Sequence, residues 1–361
     1  MQLSVCIITK NECEKLKRCL SALRPYDFEV IVVDTGSTDH TKSMVLEFTD
    51  KLYFFEWIDD FAAAKNYAIS KASNEMILVL DSDEYLKPFN PSLLYNQLME
   101  NPGAVGRIKR INAVTRNGET IENVEWINRI FNRKLFHYEG KIHEQIIAKS
   151  AMETVSTDNV SYKMYKTKLE VVHDGYNGTE EERRKKAERN ARLLLIELKE
   201  NPNDTYLLYQ LGKSYYMAGN YEKAVEYFDC ALKNDVNPRL EYVVDLVETY
   251  GYALLNCGRE RTALLLEGVQ EEFGYSADFC FLMGLIYMNN GYFEEAVQQF
   301  MKATKLEAVR AIGVNSYLAY YNAGVIKECL GEKASAINYY QMCGDYEKAK
   351  VRLQELLMTY N

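Results

Sequence analysis

Short apolar runs and amphipathic stretches alternate along the first 90 residues. Leu3 to Ile8 is an almost continuous apolar run, Glu29 to Val33 is a second that ends at Asp34, and Met76 to Leu80 is a third that leads into Asp81-Ser82-Asp83. Runs this short, rich in β-branched residues, predict buried strands. Between them, residues 12–23, 38–48 and 60–72 place apolar side chains at helical spacing, and 51–55 suits one more strand. The β-α-β-α order predicts an open, mainly parallel α/β sheet. Ligands of such sheets sit beyond the carboxyl ends of the strands. Three of these ends are polar: Thr9-Lys10-Asn11-Glu12, Asp34-Thr35-Gly36-Ser37 and Asp81-Ser82-Asp83-Glu84. From about 104 to 175 the pattern is less regular, with Gly, Asn and aromatic residues among short strand-like runs. This stretch is expected to complete the sheet and to wall a cleft.

From residue 179 the period becomes helical. Thr179 to Glu182 has the spacing of a capping box, and Ala187, Ala191, Leu194, Leu195 and Leu198 then share one face. The charged stretch Glu180 to Lys186 reads as a solvated helix face. Beyond residue 200, Leu211-Gly212, Tyr215, Gly219, Tyr221, Ala224, Phe228 and Ala231 recur 72 positions on as Met283-Gly284, Tyr287, Gly291, Phe293, Ala296, Phe300 and Ala303. Ala323-Gly324, Gly331, Ala336 and Tyr340 make a third copy, and a degenerate one surrounds Gly251, Gly258 and Ala263. The pattern resembles the tetratricopeptide repeat, in which small and aromatic positions pack paired helices. The expected division is an α/β domain over 1–175, a linking helix over 176–200 and a helical repeat domain over 201–361.

Composition sharpens that division. Of the 28 Tyr, 8 precede Gly175 and 20 follow it, while all four His precede it and no Pro follows Pro238. Tyr suits the wide holes between paired helices, because its ring packs and its hydroxyl reaches water. The net charge of −9 is shared by both parts, so neither offers the basic excess that nucleic-acid binding needs. The eight Cys include no CxxC pair, and several sit in apolar runs, which predicts buried reduced thiols and a cytoplasmic protein. The N-terminus lacks a basic stretch before its apolar run, so no signal peptide is expected. No run approaches the roughly 20 residues of a transmembrane segment.

The sharpest chemistry is Asp81-Ser82-Asp83 after a strand. Two carboxylates at i and i+2 on a strand end can converge on one hard divalent cation, and such an ion can offset the charge of a departing diphosphate. The surrounding segments, Ser4 to Glu12, Val32 to Asp39, Phe61-Ala62-Ala63-Ala64-Lys65-Asn66 and Ile77 to Glu84, resemble in order those of the family 2 inverting glycosyltransferases, which have the GT-A fold. The resemblance covers about 1–175 and implies a UDP-sugar donor with Mn2+ or Mg2+. It implies that Thr9, Asn11 and Glu12 line the nucleotide pocket and that Asp34 accepts the N–H of uracil. By the same likeness, Asp81, Ser82 and Asp83 hold the metal-bound diphosphate. Lys65 stands where the family more often has Arg, which keeps the charge near the diphosphate but not the bidentate geometry. Asp34 could instead cap a helix.

A second cluster, Trp126 to Arg133 followed by Gly140-Lys141-Ile142-His143-Glu144, resembles the acceptor side of relatives that act on lipopolysaccharide core or peptides. An inverting displacement needs a carboxylate to take the acceptor proton, and Glu144 is the candidate. Its alternative is to orient His143 or Arg129; Arg129 and Arg133 themselves could anchor phosphate or the preceding loop. His173, in the subgroup's His-x-Gly-Tyr pattern, is a candidate third metal ligand alongside Asp81 and Asp83, or a polar core residue. No GxxxxGK[ST] loop, GxGxxG or GxSxG is present.

The expected function is metal-dependent transfer of a hexosyl or N-acetylhexosaminyl group from a UDP-sugar to a protein or peptide acceptor. A solenoid's concave face suits such an acceptor. Two alternatives stand beside it. One is assembly of lipopolysaccharide core or another glycan, with the repeats serving a homodimer. The other is an inactive scaffold whose repeats bind a protein partner.

Overall fold

The computed structural model describes residues 3–116, 119–149, 162–173, 179–307 and 309–358. They fall into two compact units, 1–183 and 184–361. The expected boundary, after Gly175, lies outside the described residues.

The first unit runs β1 (Leu3–Thr9), α1 (Cys13–Leu23), β2 (Glu29–Asp34), α2 (Thr41–Val45), β3 (Leu52–Phe54), α3 (Phe61–Ser70) and β4 (Met76–Asp81). It continues with β5 (Glu84–Leu86), α4 (Pro91–Glu100), β6 (Val105–Arg116), β7 (Glu119–Asn132), β8 (Phe136–Glu139), β9 (Gln145–Ala148) and β10 (Met164–His173). Eight strands form one mixed sheet in the order β3-β2-β1-β4-β7-β6-β10-β5, while β8 and β9 pair separately. The first four pair in parallel, with Thr9 beside Asp34 and Ile8 beside Asp81. Alternation explains the apolar runs. Leu3, Val5 and Ile7 pack with α1 and α4 on one face, whereas Cys6, Ile31 and Val79 pack with α3 and Phe131 on the other. A strand covered on both faces has no polar side to show.

Two regions depart from the expectation. The helix over 38–48 shrinks to α2 at 41–45, after a turn in which Asp34 and Asp39 accept backbone N–H groups. The stretch read as short runs contains a long hairpin, β6 and β7, and a ten-residue β10. Their alternation was hidden because facing positions carry charge pairs, such as Arg110 against Glu125, in place of apolar residues.

At the amino end of the sheet, Glu29 gathers β1, β3 and the loop before β4. Its carboxylate accepts from Ser4, Lys51, the Ser73 hydroxyl, Ser73 N–H at 2.8 Å and Asn74 at 3.3 Å. Burial alone would raise its pKa, but the donors from Lys51, Ser4 and Ser73 prevail and hold it at about 2. A depressed carboxyl stabilises the fold above its unfolded pKa and loses that contribution as pH falls toward the folded value. Glu29→Gln is expected to cost about 3 kcal/mol at pH 7, and the gap from the parent should close between pH 4.5 and 2 in urea titrations. A gap independent of pH would show that packing, not ionisation, is what Glu29 supplies.

The regular elements described in the second unit are helices. The box at Thr179 forms, with Glu182 N–H on the Thr179 hydroxyl at 3.2 Å and Thr179 N–H on the Glu182 carboxylate at 2.7 Å, and opens α5 (Glu180–Glu200). Helix pairs follow: α6 (Thr205–Met217) with α7 (Tyr221–Leu232), then α8 (Glu241–Asn256) with a second member broken into α9 (Glu260–Ala263), a 3-10 turn and α10 (Gln270–Phe273). Next come α11 (Ala277–Asn289) with α12 (Phe293–Ala303), α13 (Tyr317–Cys329) with α14 (Lys333–Met342), and α15 (Glu347–Met358). The broken pair is the degenerate copy. The small residues do what the repeat requires: a Cβ on Gly284 would stand 2.5 Å from the Phe300 ring. Gly284→Ala is therefore expected to lower stability by about 2 kcal/mol, read as a lower Tm, because Phe300 is fully buried and cannot yield. An unchanged Tm would mean the helices separate freely.

Candidate active site

Because β1, β2 and β4 are parallel neighbours, their polar carboxyl ends meet at one edge of the sheet. Strand order reverses at β1, the position where open α/β sheets form a crevice. Thr9 is buried there and its hydroxyl has no partner among the described residues. Asn11 takes a left-handed backbone (φ 53°); its side-chain amide Oδ1 accepts from Thr38 N–H at 2.7 Å, while its backbone N–H donates to the Ser37 hydroxyl at 2.9 Å. The Asp34 carboxylate accepts from Gly36 N–H at 3.1 Å and Ser37 N–H at 3.0 Å. Asp34 thus caps the 34–37 turn, and Gly36, at φ 104°, supplies the conformation the turn needs. Ser82 donates to the Glu12 carboxylate, joining two of the three strand ends.

Asp81 lies at the centre. Lys65, from α3, reaches one oxygen at 3.0 Å, and Arg129, from β7, reaches the other at 2.5 Å. Lys65 also pairs with Glu144 at 2.5 Å. Arg129 also binds Glu84 at 2.9 Å, and Glu84 in turn takes Arg110 at 3.1 Å and Asp81 N–H at 3.0 Å. Charges alternate in sign along this chain, which is how buried ions are tolerated. Burial would raise the Asp81 pKa, yet Arg129 and Lys65 hold it well below the usual carboxylate range. Burial would lower the Lys65 pKa, but Asp81 and Glu144 raise it above the ordinary lysine range. Asp81 keeps 34% of its side chain exposed, so one edge faces the crevice. Beside it, the buried Tyr138 hydroxyl and Arg129 Nε have no partner among the described residues, and burial pushes Tyr138 up to about 12.

Asp83 and His173 form a separate buried pair, with Asp83 Oδ2 at 3.4 Å from His173 Nε2. An imidazole nitrogen and a carboxylate oxygen facing each other suit a divalent cation, and these two residues fit one. The expected trio does not assemble. Among the described residues no three His, Cys, Asp or Glu side chains are grouped to hold an ion, and both Asp81 oxygens pair with cationic side chains.

Of the residues left with alternatives, Glu144 orients neither His143 nor Arg129 but pairs with Lys65. Arg129 serves Asp81 and Glu84, while Arg133 donates to the Ile69 carbonyl at 3.3 Å and anchors the end of α3. Sequence reading missed Arg110, Asn112 and Glu125. Their signal, opposite charges facing across a hairpin, appears only once the register of β6 and β7 is known.

Comparison with known proteins agrees with this division of the chain. Residues 4–160 match the glycosyl transferase family 2 model, and 205–237 and 277–309 match tetratricopeptide repeat models. A TPR repeat-containing protein of Synechococcus elongatus is 31% identical over 234 residues, covering 64% of this chain and 57% of that protein. The SPbeta prophage-derived glycosyltransferase SunS of Bacillus subtilis is 26% identical over 242 residues, covering 63% and 52%. The lipopolysaccharide core biosynthesis glycosyltransferase LpsC of Rhizobium meliloti is 30% identical over 169 residues, covering 44% and 62%. The chain thus spans roughly half to three fifths of these curated relatives. Residues 4–160 are a glycosyl transferase family 2 domain, and tetratricopeptide repeats follow it in the same chain.

Proposed function

We propose that the chain is a metal-dependent inverting glycosyltransferase that moves a sugar from a UDP-sugar to a protein or peptide acceptor. The observation that carries this reading is the meeting of Thr9, Asp34 and Asp81 at adjacent parallel strand ends, with Asp83, His173, Lys65 and Glu144 around them. The nucleotide lies over the Thr9 and Asp34 turns, and Lys65 supplies positive charge at the diphosphate end. A divalent cation held by Asp83 and His173 would offset the charge of the leaving diphosphate. Glu144, aimed by Lys65, takes the proton of the attacking acceptor group. The repeats present the acceptor. In their unit, an apolar cleft of about 700 Å³ lined by Leu195, Leu198, Leu208, Tyr215 and Tyr227 suits side chains of an extended peptide. No helix among the described residues is long and apolar enough to cross a membrane, and a cytoplasmic site of action fits that observation.

The LpsC likeness supports a second reading, a glycan acceptor of the lipopolysaccharide-core kind. A panel of UDP-sugars with Mn2+, read by thermal shift, is expected to raise Tm for one donor, because a ligand bound only by the folded state stabilises it. Incubating that donor with candidate peptides and with core oligosaccharide then separates the acceptors by mass gain. No response to any nucleotide sugar would favour the inactive scaffold.

A further inference from the structure

The pair Asp83 and His173 has a supporting chain behind it that the transfer reaction does not itself require. Asn112 on β6 is the register partner of His173 on β10, and Arg110, two residues before it, faces Glu125 on β7. Glu125 Oε1 accepts from Arg110 Nε at 3.0 Å and Nη2 at 2.8 Å, and from Asn112 Nδ2 at 2.5 Å. An ionised carboxylate only accepts, so the amide NH2 of Asn112 must face Glu125. The amide carbonyl is then left for His173, with Asn112 Oδ1 at 2.7 Å from Nδ1. A carbonyl oxygen also only accepts, so Nδ1 carries the ring proton. In the neutral ring Nε2 then bears a lone pair, and it points at the Asp83 carboxylate 3.4 Å away. His173 Nε2 and the Asp83 carboxylate thus face each other, within side chains that are both buried. A nitrogen and a carboxylate oxygen so placed can share a divalent cation.

We propose that Glu125 and Asn112 are positioning residues: Glu125 fixes the Asn112 amide, and Asn112 fixes His173 as the Nδ1–H tautomer with Nε2 aimed at Asp83. The relay rests on the reading of Asp83 and His173 as a metal pair, but its first consequence exists without metal. Arg110 adds a further role, since it holds Glu125 and reaches Glu84, so the relay and the Asp81 network share one cation.

The test uses the full chain with 15N-labelled histidine. In metal-free protein, long-range 1H–15N spectra are expected to show His173 protonated on Nδ1, and Asn112→Leu should abolish that preference. Glu125→Gln, which lets the amide turn over, should shift His173 toward the Nε2–H tautomer while far-UV circular dichroism stays unchanged. Titration with Mn2+ alone, followed by electron paramagnetic resonance, should show affinity reduced by about 10–100-fold in both variants. A parent His173 carrying its proton on Nε2 would overturn the relay, as would an Asn112→Leu variant with unaltered tautomer and Mn2+ affinity. Asp83→Asn separates the two ideas: if it leaves Mn2+ affinity unchanged while the tautomer results hold, the metal reading fails and the relay stands as tautomer control alone.

Discussion

Replacing Asp81 by Ala is expected to destabilise the first unit by about 3 kcal/mol as well as to end sugar transfer. The reason is what remains behind. Lys65 and Arg129, 5% and 8% exposed, both lose a carboxylate partner, and an uncompensated buried cation is far more costly than the pair it leaves. The figure sits at the low end for a broken buried pair, because Asp81 is itself a third exposed and water reaches part of the gap. Urea unfolding of the variant measures the loss directly. Asp81→Ala unfolding at the parent's urea midpoint would mean that Lys65 and Arg129 are satisfied elsewhere and that the alternating chain is not what holds β4 to β7 and α3.

Glu144→Gln has the opposite signature. Transfer should fall by about 10²–10⁴-fold, the usual contribution of a positioned general base, while the donor still binds. Stability should change little, because the Gln carbonyl can still accept from Lys65, which also keeps Asp81. Donor affinity by calorimetry and single-turnover transfer with the identified donor separate the two effects. A parallel fall in donor binding would assign Glu144 to holding Lys65 in place, and unchanged transfer would move the base elsewhere.

The two variants differ because of the residue between them. Lys65 bridges Asp81 and Glu144, so the central carboxylate and the candidate base share one ammonium. An arginine there could engage each partner with two parallel bonds. Lysine, a point charge, meets each carboxylate at one oxygen.

The legible parts of the site were those that local sequence controls. An apolar run of strand length followed by polar residues marks a strand end wherever it occurs, and Thr9, Asp34 and Asp81 were found that way. The hairpin of β6 and β7 was not legible. Arg107, Lys109 and Arg110 interrupt its apolar residues, and their partners lie on another strand, so the period of two is masked. The length of α2 was also misjudged, since apolar spacing over 38–48 does not reveal that Asp34 and Asp39 bind the backbone into a turn first.

Sequence alone established the α/β unit, the helical repeats after it and the residues at the carboxyl ends of the strands, because strand runs, caps and repeat periods depend on neighbours a few positions apart. Tertiary structure decided which charges meet. Arg129 reaches Asp81 across 48 positions and Asn112 reaches His173 across 61, and those pairings follow from strand order and register. It also parted the expected metal trio, leaving Asp83 with His173 and giving Asp81 to two cations. Electrostatic partners in a folded chain are set by distance in space, which residue spacing does not encode.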